Sequence, residues 1–188
     1  MKKKLNFHNI LKSKSSSEKL WGLFIDGDMD AFKTIYNMYY QMLYNFGKRY
    51  LNDSEVEDAI HDTFLNILKY KNSSSEVKNI KAYLFKCLRN QIFKVKKAAK
   101  LEFELDNETI QSENNTHEEQ EKELVFKKLK ELIKELSPRE REIIYLKYFQ
   151  NFNNIEISEL LDLNYQTVRN ILGNAIKKLR ILGGDQLL

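Results

Sequence analysis

Residues 154–172 read Asn-Ile-Glu-Ile-Ser-Glu-Leu-Leu-Asp-Leu-Asn-Tyr-Gln-Thr-Val-Arg-Asn-Ile-Leu, and this stretch carries the clearest structural signal in the chain. Apolar residues recur at helical spacing on both sides of Asp162-Leu163-Asn164, which supplies two turn-forming side chains. The pattern therefore predicts a short helix around Ile155–Leu161, a turn, and a longer helix from about Tyr165 to Leu182. These are the elements of a helix-turn-helix.

The longer helix of this motif has one apolar and one polar face. On a polar face, Arg can bind a guanine edge, Asn an adenine edge, and Lys a phosphate. We therefore expect DNA contacts from Gln166, Thr167, Arg169, Asn170, Gly173, Asn174, Lys177 and Lys178. An ordinary helical hairpin with a solvated polar face would show the same pattern, so that alternative stays open on these residues alone.

A second local signal, Leu136-Ser137-Pro138-Arg139-Glu140, predicts the start of another helix. Ser137 is a favoured N-cap, Pro138 suits the first helical position, and Glu140 completes a capping box. We expect this helix to continue through Ile143, Ile144, Leu146 and Tyr148 to Asn151. A preceding helix is predicted from Leu124, Leu129, Leu132, Ile133 and Leu136.

The first hundred residues predict three amphipathic helices. The first carries Phe32, Ile35, Tyr36, Tyr39, Leu43 and Phe46 at three- and four-residue steps. Asn52-Asp53-Ser54 offers N-caps for a second helix that runs from Val56 to Leu68. After a polar loop at Asn72-Ser73-Ser74-Ser75, a third helix is predicted over roughly residues 79–98.

The composition agrees with an all-α fold and excludes several other classes. With six Gly and one Pro in 188 residues, the chain has too few turn formers for a β-sandwich or barrel. The single cysteine, Cys87, excludes an intramolecular disulfide framework and a cysteine-based metal cage. No run approaches the roughly 18 consecutive apolar residues of a membrane span, so we expect a cytoplasmic protein.

The charge is distributed in three blocks. Residues 1–100 hold 19 Lys and Arg against 10 Asp and Glu, residues 101–123 hold one Lys against nine acids, and residues 124–188 hold 11 basic against eight acidic residues. The acidic block cannot bury enough apolar surface to fold alone. We therefore predict a flexible basic tail at 1–20, a helical domain at 21–100, an acidic linker at 101–123, a second helical domain at 124–182, and a tail at 183–188.

The third helix predicts a cationic surface. Eight basic residues and no acid occur from Val77 to Leu101, with Tyr83, Phe85 and Phe93 interleaved. Aromatic rings beside cations are how proteins hold unstacked single-stranded bases. The alternative is that the aromatic residues are core and the lysines a solvated face, and for Tyr83 we prefer the core.

The second helix groups Glu57, Asp58, His61 and Asp62 on its polar side. Asp58 and His61 could form half of a di-metal site, but that architecture needs a second such pair, and the chain offers none. No nucleophile has a base placed to serve it. We therefore expect no metal, no cofactor and no catalysis, and interpret this face as a docking surface for a basic partner.

With these elements in order, the chain resembles the bacterial RNA polymerase sigma factors of the extracytoplasmic-function type, small members of the sigma-70 family. The resemblance covers about residues 24–182. Asp30–Tyr39 looks like the family's opening helix, Val56–Leu68 resembles A-E-D-L-V-Q-E-V-F-L-K-L-W, and Ala82–Asn90 resembles A-W-L-x-x-I-A-R-N. Leu136–Glu142 matches L-P-x-R-E-R-E, and Thr167–Ala175 falls at T-V-K-S-R-L-x-R-A. Each motif is weak alone, whereas all of them in order at the right spacing are specific.

The resemblance implies a protein that binds core RNA polymerase and promoter DNA and directs transcription initiation without catalysing it. The clamp of the largest polymerase subunit would contact Asp58, His61, Asp62, Phe64 and Leu65. The melted −10 element would contact Asn72, Ser73, Ser74, Ser75, Lys78, Lys86, Arg89, Asn90, Lys94 and Lys97. The −35 element would meet the polar face of the longer helix-turn-helix helix. The resemblance also leaves room for an anti-sigma factor as a further partner.

Other functions explain less of the chain. A free-standing helix-turn-helix regulator of duplex operators explains residues 124–182 but not the acidic and the basic–aromatic helices before them. A helical adaptor that binds only proteins leaves the eight unopposed cations unexplained. An RNA-binding module has no use for a recognition helix.

Overall fold

The protein is described by a computed structural model that divides the chain into two units, Met1–Leu101 and Glu102–Leu188. The described residues are 14–71, 77, 79–98, 128–129 and 131–183. The regular elements in these ranges are all helical, which confirms the predicted all-α class with two helical domains. Residues 1–13 and 184–188 of the predicted tails and the predicted linker at 101–123 lie outside the described residues.

The first unit contains α1 (Lys14–Ile25), α2 (Met29–Gly47), α3 (Asp53–Lys69) and α4 (Ile80–Ala98). Side-chain caps begin three of these helices, and that of α4 is Asn79, whose Oδ1 accepts the backbone N–H of Ala82 at 3.0 Å. The Asp28 carboxylate accepts the backbone N–H groups of Asp30 and Ala31 at 2.9 and 3.1 Å. Asn52 and Glu55 form a reciprocal capping box at the start of α3, close to the start that the sequence predicts.

Helix α1 corrects the prediction of a flexible tail over residues 1–20, which is wrong for residues 14–20. Leu20, Trp21 and Phe24 are at most 2% exposed, and α1 packs against α2 and α4. The surrounding sequence is rich in Lys and Ser, which hid this short apolar stripe. Its helical spacing is four positions from Leu20 to Phe24 and three from Trp21 to Phe24.

Aromatic side chains join the helices of the first unit. The Phe46 ring of α2 lies 5.1 Å from the Phe85 ring of α4, centroid to centroid. The Phe64 ring of α3 lies 5.9 Å from Phe32 and 4.8 Å from Tyr36, both on α2. Large rings bury much apolar surface with few rotatable bonds, so they hold three helices together at a low entropic cost.

The second unit is built from α5 (Pro138–Ile144), α6 (Asn154–Leu161) and α7 (Tyr165–Gly183), preceded by helical residues at 131–134. Helix α5 passes into a π-helical turn, Tyr145–Phe149, where the sequence predicted a regular helix to Asn151. A π turn holds an extra residue, which shifts the buried face. Tyr145 is 5% exposed, and Tyr148, through which a regular helix was expected to continue, is 55% exposed.

The predicted helix-turn-helix is confirmed in α6 and α7. Asp162 adopts a left-handed conformation, φ 52°, which ends α6 and reverses the chain. The Asn164 side chain accepts the backbone N–H of Thr167 at 2.7 Å and begins α7. Val168, Leu172 and Ala175 of α7 are buried, and α6 and α7 pack together.

The Glu140 carboxylate holds α5 to α7. It accepts the backbone N–H of Ser137 at 2.8 Å, so the predicted capping box is confirmed. The Lys178 Nζ lies 2.8 Å from Glu140 Oε1 across the helix pair. Burial raises the pKa of the Glu140 carboxyl, but the hydrogen bonds from Lys178 and Ser137 outweigh it, so the net pKa lies below its ordinary value of 4.5.

Two arginines complete these contacts. Arg139 Nη1 lies 2.5 Å from the buried Glu142 carboxylate, and Arg139 Nη2 donates to the carbonyl of Leu161 at 3.2 Å, at the end of α6. Arg141 donates to the carbonyl of Lys134 at 2.8 Å and fixes the segment before α5. Side chains from this segment, those of Arg139 and Glu140, therefore hold both helices of the helix-turn-helix in place.

We expect Gly47→Ala to destabilise the first unit. A Cβ at Gly47 would lie 2.7 Å from Cγ2 of Val56, a fully buried residue of α3 with a stiff side chain. The expected loss is about 1–3 kcal/mol, measured by denaturant unfolding followed through Trp21 fluorescence. Gly22→Ala is the control, because a Cβ at Gly22 meets nothing within 4 Å, and it should leave stability equal or higher.

We expect Glu140→Gln to destabilise the second unit at pH 7 by about 1–2 kcal/mol, because Gln keeps the capping geometry but loses the charge opposite Lys178. Amide hydrogen exchange in α5 and α7 measures the loss. The Glu140 pKa is lowered on folding, so its stabilisation is present above 4.5 and is lost as the pH falls through the folded-state pKa.

The difference between the Glu140→Gln variant and the wild type should therefore shrink in acid. Glu131→Gln serves as the control, since Glu131 and Lys134 form a 2.8 Å pair in which both side chains are exposed. Its effect should stay below about 0.5 kcal/mol. A Glu140→Gln effect that is equally large at low pH would contradict the role assigned to the ion pair.

Candidate nucleic-acid and protein interfaces

The outer face of α7 is open to solvent. Gln166, Arg169, Asn170, Gly173, Asn174 and Lys177 are exposed, and Thr167 is half-buried. Gln166 Nε2 donates to Asn170 Oδ1 at 3.0 Å, and the Arg169 guanidinium lies 6.0 Å from the centroid of the Tyr165 ring. These side chains form one polar surface on a single rigid helix, which is the geometry needed to read base edges in a major groove.

Lys178 differs from the other residues expected on this surface. Its ammonium group is bound by the Glu140 carboxylate, which contributes to the packing of α5 against α7. A phosphate contact would have to compete with that ion pair. Lys177, one position earlier and exposed, is the better candidate for phosphate binding.

The outer face of α3 combines acids with an exposed apolar side chain. Asp58, His61 and Asp62 are exposed, as predicted for a docking surface, and Leu65 is 53% exposed beside them. The predicted polymerase contact at Phe64 is wrong, because this side chain is only 3% exposed and packs among the aromatic rings of the core. The candidate docking face is therefore Asp58, His61, Asp62 and Leu65, which combines two carboxylates with one exposed apolar side chain.

A groove of about 360 Å³ lies between α3 and α4. Its α3 side is formed by Thr63, Asn66, Ile67 and Tyr70, and its α4 side by Tyr83, Cys87, Asn90, Gln91 and Lys94. The groove combines aromatic rings, amides and one cation, which suits a planar polar ligand such as a nucleobase. Asn90 and Lys94 were predicted for DNA contact, whereas Asn66, Tyr70 and Gln91 were missed because the alignment of two helix faces is not visible in sequence periodicity.

The thiol of Cys87, in the wall of this groove, is kept in its neutral form by burial. Burial raises the pKa of the Cys87 thiol, and the opposing effects of a hydrogen bond with Tyr83 and of the nearby Lys86 do not reverse it. The thiol is therefore neutral at physiological pH. Gln91 Nε2 donates to Asp62 Oδ2 at 2.8 Å, so the groove and the docking face of α3 share one hydrogen bond.

Cationic side chains continue along α4 beside the groove. Asn90, Lys94 and Lys97 are exposed, and Lys86 and Arg89 are half-buried. The Arg89 guanidinium lies 4.4 Å from the centroid of the Phe93 ring, which is 36% exposed. Lys96 is buried, so the cationic surface is smaller than the sequence suggested. The predicted contacts Asn72, Ser73, Ser74, Ser75 and Lys78 lie outside the described residues.

The described part of the chain shows neither a metal-binding cluster nor a membrane-spanning helix. Among its His, Cys, Asp and Glu side chains, no group of three is placed to hold a metal ion. None of its helices is both long enough and apolar enough to cross a membrane.

Two family models match the chain, one in each unit. The model described as sigma-70 region 2 matches residues 35–100, and the model described as sigma-70, region 4 matches residues 126–179. The first contains the α3 docking face and the α3–α4 groove, and the second contains α5 and the helix-turn-helix.

Curated relatives and solved structures agree with these matches. An uncharacterized protein of Clostridium acetobutylicum is 28% identical over 92% of this chain and 93% of its own length. The RNA polymerase sigma factor SigV of Bacillus subtilis is 27% identical over 76% of this chain and 82% of its own length.

Two solved structures share the fold. CnrH, in complex with the cytosolic domain of CnrY, has a TM-score of 0.60 at 18% identity, over 88% of this chain and 96% of that one. RpoE of Bartonella quintana, in complex with the anti-sigma factor NepR, has a TM-score of 0.59 at 19% identity, over 82% and 98%. Since the two family models together match 120 of 188 residues, the chain belongs to the sigma-70 family, with regions 2 and 4 as its helical units in the two-domain layout of the extracytoplasmic-function type.

Proposed function

We propose that this sigma factor binds core RNA polymerase and directs it to promoters by recognising the −35 and −10 elements. The observation that carries the proposal is the presence of regions 2 and 4 on one chain, each with a separate exposed polar surface. Core polymerase bound to this protein would then carry two DNA-binding surfaces, α7 for duplex DNA and the α3–α4 groove for melted DNA.

Polymerase binding is assigned to the docking face of α3. Asp58 and Asp62 present two carboxylates one turn apart, and Leu65 adds an apolar contact next to them. An interface of this kind uses charge for encounter and orientation and a buried apolar side chain for affinity. The proposed partner surface is the clamp of the largest polymerase subunit, with basic residues facing these acids.

Recognition of the −10 element is assigned to the α3–α4 groove and the cations of α4. A flipped base would enter the groove between Tyr70, Tyr83 and Asn90, while Lys94 and Lys97 bind the backbone of the melted strand. The loop residues Asn72, Ser73, Ser74, Ser75 and Lys78 remain proposed contacts. Flipping a base costs a few kcal/mol. A groove that accepts only an unstacked base stabilises the open promoter selectively.

Recognition of the −35 element is assigned to α7. Arg169 and Asn170 are the side chains best suited to bidentate base contacts, and Gln166, Asn174 and Lys177 flank them on the same face. The protein itself forms no covalent bond in this scheme, because the polymerase carries out RNA synthesis. Core polymerase and the chromosome occupy the bacterial cytoplasm, so that is the proposed site of action.

The acidic segment at residues 101–123 has a proposed role of its own. Its net charge of −8 fits a strand that runs near the polymerase active site and the RNA exit path, where it would mimic nascent RNA. An anti-sigma factor is a further proposed partner. RpoE, which shares the fold, was solved in complex with the anti-sigma factor NepR.

A free-standing operator-binding regulator is the less favoured alternative. It accounts for α6 and α7 but has no use for region 2, which matches 66 residues of the first unit. The test that separates the two is association of the tagged protein with core polymerase, followed by transcription in vitro from host genomic DNA. RNA that starts at defined sites only when the protein is added supports the sigma function. Sequence-specific duplex binding without polymerase association would favour the regulator.

We expect Asp58→Lys together with Asp62→Lys to abolish polymerase binding, because both side chains are exposed and the reversal opposes a basic partner. The fold should be intact, since exposed substitutions usually cost little. Affinity for core polymerase is measured by fluorescence anisotropy of the labelled protein. Glu18→Lys with Asp26→Lys makes the same charge change at exposed sites in α1 and in the turn after it, and should bind within about twofold of wild type. Normal binding by the Asp58 and Asp62 variant would show that α3 is not the docking face.

We expect Arg169→Ala to weaken recognition at one or two base pairs of the upstream element by about 1–3 kcal/mol. Binding of the holoenzyme to promoter variants measures this loss base pair by base pair, and affinity for core polymerase should not change. Arg180→Ala removes an exposed cation in the last turn of the same helix and should lower binding uniformly across sequences. A uniform loss with Arg169→Ala as well would mean that Arg169 binds only phosphate.

A further inference from the structure

Trp21, in the unpredicted helix α1, lies outside the region 2 match, which begins at residue 35. We propose that Trp21 is a positioning residue for recognition of the melted −10 strand and that it acts through Tyr83, a wall of the α3–α4 groove. This inference rests on the proposed function of that groove. It extends the −10 site to a helix that the region 2 match does not include.

The contact between Trp21 and Tyr83 is direct. The two ring centroids lie 5.5 Å apart at an interplanar angle of 75°, an edge-to-face arrangement. Trp21 is 2% exposed and also contacts the Phe24 ring, at 5.3 Å and 66°. Edge-to-face pairs have a preferred geometry and stabilise the packing beyond the burial of their area. The buried indole therefore restricts the orientation of the Tyr83 ring.

Tyr83 links this core contact to the groove. Its side chain is half-buried, it lines the groove together with Asn90 and Tyr70, and it is hydrogen-bonded to the Cys87 thiol. The ring therefore has a buried neighbour in α1, a polar neighbour in α4, and the groove beside it. Two aromatic residues line the described groove. Tyr83 packs against the buried Trp21 of α1, whereas Tyr70 is 55% exposed.

A fixed ring matters because stacking depends on orientation. Stacking of a base on an aromatic side chain contributes to affinity for single-stranded DNA, and binding is weakened when the ring must first be ordered. A site holds its ligand best when its residues are locked by packing behind them. Trp21 supplies that packing for Tyr83, so changes at Trp21 should alter affinity for melted DNA without altering the docking face on α3.

The test is a double-mutant cycle with Trp21→Phe, Tyr83→Leu and the variant that carries both. The probe is fork-junction DNA with a single-stranded −10 segment, taken from a promoter identified by the transcription experiment above. Affinities of the reconstituted holoenzyme for this DNA and of each variant for core polymerase are measured separately. Trp21→Phe keeps an aromatic ring of smaller size in the core, so the unit should fold, and thermal unfolding checks this.

The expected result is a coupled loss. Tyr83→Leu weakens fork binding about tenfold, Trp21→Phe weakens it about three- to tenfold, and the double variant is no weaker than Tyr83→Leu alone within twofold. Affinity for core polymerase stays within twofold for all three. Tyr83→Phe, which keeps the ring against Trp21, binds fork DNA within twofold of wild type.

Three results would overturn the proposal. Additive losses in the double variant would mean that Trp21 acts only through stability. A fork-binding loss of similar size in Ile35→Val, which alters the buried core at α2 but keeps Trp21, its ring neighbour Phe24 and Tyr83, would mean the same. No loss with Tyr83→Leu would remove the groove from the −10 site. In that last case polymerase binding and promoter-dependent transcription by the wild type would still stand, so failure of this inference is distinguishable from failure of the sigma function.

Discussion

The position of α7, the longer helix of the helix-turn-helix, depends on one buried carboxylate. Glu140 closes the capping box of α5 with Ser137 and binds Lys178 of α7, so the same charge begins one helix and orients another. Arg139 extends this control to α6 through the carbonyl of Leu161. Because charged hydrogen bonds have strict geometry, these contacts fix α7 more narrowly than apolar packing alone. The exposed side chains of α7 therefore lie on a helix whose position is fixed.

In the first unit, contacts between aromatic rings hold the helices in position. Helix α4 buries one apolar face and exposes cations and amides on the other. Phe85 packs against Phe46 of α2, and Tyr83 contacts Trp21 of α1. Between α3 and α4 lies a groove, with the proposed docking face of α3 on one side and the basic side of α4 on the other.

Local signals in the sequence predicted the elements better than the surfaces. The caps at Asn52 and Ser137 and the turn at Asp162 are set by side chains within three residues, so their pattern was sufficient. Phe64 was predicted on the docking face, and only the tertiary packing places it in the core. The π-helical turn shifted Tyr148 outward because one extra residue entered a turn that periodicity treats as regular.

Features built from distant segments could not be predicted in the same way. The groove needs Tyr70 of the α3 end and Asn90 of α4 side by side, a distance of 20 positions along the chain. Helix α1 was hidden by its Lys- and Ser-rich composition, although Trp21 is almost fully buried. The missed residues, Asn66, Gln91 and Trp21 among them, share the property that their role depends on a neighbour in another helix.

The separation of the surfaces onto two units has an energetic consequence for promoter binding. Each proposed DNA surface is small and offers few side chains for base contacts, so each alone should bind weakly and with strong dependence on salt. With α3 docked on polymerase as proposed, both surfaces belong to one complex, and the second contact forms at a high effective concentration. Specificity would then arise from the product of two modest interactions, one with duplex and one with melted DNA. Under the proposed function the groove binds a base only after it is unstacked, so its contribution is gained after melting and stabilises the open promoter over the closed one.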